Sequence, residues 1–320
     1  MITFHEWVTS LDRPFPDPYI EWHIGLYDAV TVLKQQLDSW THRPLLSDRH
    51  LLELGVVHGA ELIIDEENPI DFEPRYFSPD TPGAAAQRTR NWNRVEKWPI
   101  LDPHGQDLIE NWRGFPIRIN IPLEDDVGGN FDRCLDMVDW GDWDGGDRME
   151  RSNQPEDLCW TSFLPPARTS LFRYNQIQIH QNYYHRLMIY DWSLWTPAGC
   201  SDNYADPEVP HSLVIVSDTI TPPDNRLLRS EVLFAAMVLR ESLAQMIWQK
   251  HYTLPMLMLS FSKTGCRILH IHFENARLHI RVSRSLNLVS SDGTVPPDGQ
   301  LVVRWLMAQP IGETRFSNLT

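Results

Sequence analysis

Asn225–Asn287 reads NRLLRSEVLFAAMVLRESLAQMIWQKHYTLPMLMLSFSKTGCRILHIHFENARLHIRVSRSLN, and its periodicities decide the fold. Leu228, Val232, Ala235, Ala236, Leu239, Leu243, Met246 and Ile247 recur at steps of three and four, the spacing of a helix with one buried face. Pro222 and Pro223 stand just before it, a start signal, and neither Gly nor Pro interrupts Arg226–Lys250. The pattern then changes. Leu254–Phe261, Cys266–Phe273 and Arg277–Val282 are apolar or alternating runs, separated by Lys263–Gly265 and by Glu274–Ala276. Such punctuation predicts turns, and therefore a long helix packed on an antiparallel three-stranded meander.

Upstream, Pro14, Pro16 and Pro18 prevent a helix before Tyr19–Trp40, where Ile20, Ile24, Tyr27, Val30, Leu33 and Leu37 form a second apolar face and Val32 falls off it. Asp48–Val57 predicts a short helix with Ser47 as N-cap. Strands are predicted at Glu61–Ile64, Phe115–Pro122, Leu171–Ile179, Leu187–Trp195 and Leu213–Val216, and a short amphipathic helix at Gln300–Met307. The fold class is α+β: a mixed or antiparallel sheet with helices packed on one side, in a single domain with long surface loops. The outlier is Glu124–Asp157. It holds 12 acidic residues against Arg133, Arg148 and Arg151, together with Trp140, Trp143 and five glycines, and predicts an exposed acidic loop or lid.

Charge is unevenly placed. The net charge is −15, yet His211–Thr320 carries 11 Lys+Arg against 8 Asp+Glu, leaving 17 of the 28 basic and 35 of the 43 acidic residues upstream. That asymmetry bears on partners. In the basic C-terminal part, Arg229, Arg267, Arg281 and Arg284 are the candidates either to meet a polyanion such as tRNA or to pair with local carboxylates. An acidic part with Asp142, Asp144, Trp140 and Trp143 would hold a cationic substrate through carboxylates and aromatic faces. The four cysteines, Cys134, Cys159, Cys200 and Cys266, form no CxxC pair, and no secretory signal or membrane span is visible. The expectation is a reducing, cytoplasmic compartment with no membrane partner.

No GxSxG, HExxH, GxGxxG or GxxxxGK[ST] occurs, which removes the common hydrolase, zincin, dinucleotide and P-loop readings, and no cofactor is predicted. Placing Gly145 at the sixth position of a calcium loop puts Trp140 first and Arg151 twelfth, where oxygen ligands are needed, so that match fails. Three residues are singled out for catalysis. His270 and His272 alternate with Glu274 along one strand and so share a face. That set lacks its remaining ligands, and the sequence predicts no stoichiometric transition metal. Glu231, with Arg229 and Arg281, stands at the helix start, where a carboxylate serves either as general base or as an ion-pair partner favoured by the helix dipole.

Leu228–Glu231 opening the helix, the strand run Leu254–Phe261, Arg267–Leu269 and Leu278–Ser283 together resemble an expanded set of uncharacterised proteins from filamentous ascomycete fungi. The resemblance covers this block alone, and Leu286, Asn287 and Leu288 depart from the aromatic-acidic end that the set carries there. It implies no activity that maps onto these positions. Two functions follow from the sequence as expectations. One is an intracellular enzyme of fungal specialised metabolism acting on a polar or cationic, for example arginine-derived, substrate. Its activity would be of transferase type, with tRNA-dependent cyclodipeptide synthesis set beside it without any matching motif. The other is a non-catalytic interaction protein that binds a basic partner through its acidic loop.

Overall fold

The computed structural model describes residues 17–40, 43–64, 74–83, 160–162, 191–197, 207–217, 220–223, 226–244, 248–262, 265–288, 295–306 and 308–316. The predicted strands at 115–122 and 171–179 and the acidic stretch 124–157 lie outside them. The first helix, α1, spans Asp17–Ser39. Its buried line runs through His23, Leu26, Val30, Leu33 and Leu37, a slight rotation from the predicted stripe, with Val32 on the solvent side. Helix α2, Asp48–Glu53, is N-capped by Ser47, whose hydroxyl accepts from the His50 amide at 3.4 Å. It ends earlier than predicted. Gly55 adopts a φ of 68°, the left-handed geometry that closes a helix, and Val56–His58 continues as strand β1.

Strands β2 (Phe77–Ser78), β3 (Trp160–Ser162), β4 (Asp191–Pro197) and β5 (Ser212–Ser217) precede helix α3, Arg229–Ala244. After it come β6 (Met256–Phe261), β7 (Gly265–Glu274), β8 (Arg277–Val282), β9 (Leu286–Asn287), helix α4 (Pro297–Leu306) and β10 (Gln309–Pro310). The main sheet runs β1-β8-β7-β6-β5-β4-β3, with β9 also on β7, while β10 pairs with β2. The β6–β7–β8 meander is antiparallel, as predicted. Two parallel joints, β5 with β6 through the α3 crossover and β1 with β8, make the whole sheet mixed and the fold α+β.

The β7–β8 turn has two central residues, Asn275 and Ala276, with φ of 51° and 58°, the positive values that the right-handed twist of a tight hairpin selects. At the other end of the hairpin Ile268 pairs with Ser283, but Cys266 pairs with Leu286. Arg284 and Ser285 therefore oppose the single residue Arg267, a bulge that bends the chain from β8 into β9.

Period-two alternation sorts the sheet side chains onto two cores. One holds Val214, Val216, Met256, Met258, Leu269, Ile271, Phe273, Leu278 and Ile280 against α1, α2 and α3. The other holds Leu213, Leu257, Leu259, Phe261, Cys266 and Ile268 against Tyr76, Phe77 and α4. The predicted single helical side is thus the α1–α3 side, and short α4 covers the second. Helix α3 departs from a one-face pattern: of its residues only Arg240 and Ala244 escape full burial. A helix enclosed on all sides must satisfy its own polar groups, and Glu231 does so through Arg267 and the Leu228 amide.

Candidate metal centre

The antiparallel register of β7 and β8 builds three rungs on the second face of the sheet: Glu274 opposite Arg277, His272 opposite His279, and His270 opposite Arg281. The middle rung is a cross-strand pair of imidazoles, with ring centroids 5.2 Å apart and planes inclined by 25°. His279 Nε2 lies 3.9 Å from a Glu274 carboxylate oxygen. One ligand atom each from His272, Glu274 and His279 falls within 4.8 Å of the others. Two atoms bound to one zinc at about 2.1 Å lie no more than about 4.2 Å apart, so the loaded site needs only a small contraction.

Burial grades across this trio. His272 is 2% exposed, the His279 side chain 25% and the Glu274 side chain 52%. Both ring nitrogens of His272 are enclosed, with no hydrogen-bond partner among the described residues. Enclosed imidazole nitrogens without partners are uncommon, because such a group loses its water and gains nothing in return. Tyr76 shapes the floor, stacking on His270 at 5.7 Å and 5° and tilting onto His272 at 5.4 Å. Beside it His211 Nε2 contacts the Ile311 carbonyl at 2.9 Å. Desolvation by burial pushes His272 down to about 4 and His270 down to about 3, with neighbouring imidazoles and Arg281 adding to the effect, and pushes His211 down to about 4 against its contact with the Ile311 carbonyl. These rings are neutral near pH 7, the form that ligates metals.

Glu231 and the two histidines predicted with it stand on opposite faces of the sheet. Glu231 lies over the first core, where Arg267 Nε donates to it at 2.7 Å and Arg267 Nη2 donates to its second oxygen. That oxygen also accepts from the Leu228 amide at 2.8 Å, closing the first turn of α3. The carboxylate thus makes an ion pair and a cap at the helix start. Arg229 is 1% exposed and its Nε donates to the Leu37 carbonyl at 2.6 Å. Burial lowers its pKa to about 10. Arg284 is bidentate to Asp298 at 2.7 and 3.0 Å. The four arginines named as polyanion candidates do not share one surface: Arg229 and Arg267 are interior, Arg281 is half-buried on the far face, and Arg284 is paired. Asp142, Asp144, Trp140 and Trp143 lie outside the described residues.

His279 joins the candidate trio although the sequence reading did not single it out. A three-residue turn at Glu274–Ala276 would set Leu278 opposite His272; the actual two-residue turn sets His279 there. Comparison of the chain with protein families, curated proteins and solved structures finds no match.

Proposed function

We propose that this chain is a metalloprotein that binds one divalent transition metal, zinc or iron, through His272, Glu274 and His279. The observation that carries the reading is the enclosed His272 ring, both nitrogens unpartnered, converging with a second imidazole and a carboxylate. Two neutral imidazoles and one carboxylate are a ligand set that zinc and ferrous iron accept. Because Glu274 and His279 reach solvent, a metal held there keeps positions for water or substrate, as centres that work as Lewis acids require. This departs from the sequence expectation of no stoichiometric transition metal, and of the three residues expected to be catalytic, Glu231, His270 and His272, it keeps His272. Fungal specialised metabolism, aminoacyl transfer and a polar substrate remain proposals at the level of substrate and pathway, as does a basic partner for the acidic stretch.

The purified chain, stripped with chelator and titrated with Zn²⁺ or Co²⁺, is expected to take up one metal per chain. Glu274→Gln, at an exposed position, should weaken binding by tenfold or more while leaving the circular dichroism spectrum intact; His272→Ala and His279→Asn should abolish it. Fractional, non-saturating uptake, or full uptake by Glu274→Gln and His279→Asn, would sink the assignment.

A further inference from the structure

Strand β1 closes one end of the main sheet, with β8 as its only strand neighbour among the described residues. The Gly59 amide donates to the Ile280 carbonyl at 2.8 Å, on the β8 side. Alternation then turns the amides and carbonyls of Val56 and His58 the other way, onto the outer edge. A sheet edge of this kind is a template for another extended chain. Beside it, between α2 and β1, lies a cleft of about 450 Å³ whose lining includes Asp48, Leu52, His58 and Arg277. Leu52 is 77% exposed.

The cleft has opposite charges at its two ends. Arg277 precedes Leu278, the register partner of Val56, and so stands level with Gly55, where β1 begins. Asp48 opens α2, and the chain doubles back through the turn at Gly55 into β1. Burial lowers the His58 pKa and the Asp48 carboxylate opposes that shift, which sets Asp48 at the His58 end. Asp48 and Arg277 are both exposed, and neither forms an ion pair with a described residue. Three steps of extended chain, about 10 Å, separate Gly55 from His58. Residues three apart on a strand point to opposite faces. That suits these two charges, since Arg277 belongs to the second face of the sheet and Asp48 to the α2 side.

We infer that the β1 edge docks an extended segment of a partner protein, antiparallel to β1, that carries in chain order a basic residue, any residue, an apolar residue and an acidic residue. Its main chain pairs with Val56 and His58, its base donates to Asp48, its apolar side chain lies on Leu52, and its acid accepts from the Arg277 guanidinium. Main-chain pairing supplies the binding, and the two charges fix register and direction.

The probe is the fluorescein-labelled peptide Thr-Lys-Thr-Leu-Glu-Thr, titrated with the 320-residue chain and followed by anisotropy. Saturable binding at one peptide per chain is expected. Methylating the Leu amide of the peptide, which removes a donor to the edge, should abolish it. Arg277→Gln and Asp48→Asn should each weaken binding about fivefold, the upper range for an exposed ion pair. Arg277→Glu should prefer the peptide whose Glu is replaced by Lys. Absence of saturable binding, equal binding of the methylated peptide, or parental affinity in both charge variants would overturn the inference. So would a second copy of the chain on this edge, seen in sedimentation as a dimer that Leu52→Asp dissociates.

Discussion

At the residue scale, the same side-chain types take opposite roles according to what faces them. Arg267 and Arg277 are ten residues apart, one 3% exposed and the other at the rim. Arg267 meets Glu231 across the sheet–helix interface, with a third contact from its Nη1 to the Arg226 carbonyl at 2.6 Å. An enclosed ion pair of this kind contributes little beyond an apolar pair of equal volume, but breaking it leaves an uncompensated interior charge. Glu231→Ala should therefore cost about 3–5 kcal/mol in urea unfolding, and the double change Glu231→Leu with Arg267→Met should recover most of that. If Glu231 were instead a catalytic base with a merely local role, the single variant would unfold at the parent's urea midpoint.

At the element scale, the sheet tolerates or refuses a methyl group according to what lies above the glycine. Gly265 opens β7 directly beneath β9, and a Cβ there would lie 2.4 Å from the Leu286 carbonyl oxygen. Neither strand can yield without losing the Gly265–Asn287 and Cys266–Leu286 pairing. Gly59, just past β1, would bring a Cβ within 2.9 Å of the Arg281 Cγ, the stem of a long and rotatable side chain. Gly265→Ala is expected to destabilise by about 2–3 kcal/mol and Gly59→Ala by less than about 1 kcal/mol, the two ends of the overpacking range. Equal melting temperatures for the two variants would contradict the assigned β7–β9 contact.

At the scale of the whole molecule, interior histidines link stability to pH. Burial lowers both His23 and His211 to about 4, against backbone contacts that act in the opposite sense, such as His23 Nε2 with the Gln249 carbonyl at 3.1 Å. A histidine whose folded pKa lies below its unfolded value of about 6.5 binds its proton more readily when unfolded. The stability it contributes is therefore present above about pH 6.5 and is lost as pH falls toward about 4, each tenfold difference in proton affinity being worth about 1.4 kcal/mol. Urea midpoints measured across that window should fall steeply with acid, and His23→Gln should flatten part of the slope. A midpoint constant from pH 7 to pH 4 would show that these rings titrate as exposed groups do.

Legible from residue order is what one strand or helix states about its own neighbours. The 3.6 spacing of Val232, Ala235, Ala236, Leu239 and Leu243, and the alternation in Arg277–Val282, specify a helix and strands whatever lies around them, because period is a property of the local chain. Ser47 announced its cap for the same reason. Tertiary structure alone decided which faces meet. Arg267 finds Glu231 across 36 positions, and α4 takes the second face of the sheet. Above all, His279 stands opposite His272 only because the turn has two residues. Side chains alternate with a period of two, so one residue more in that turn would have turned His279 to the other face and left no site to propose.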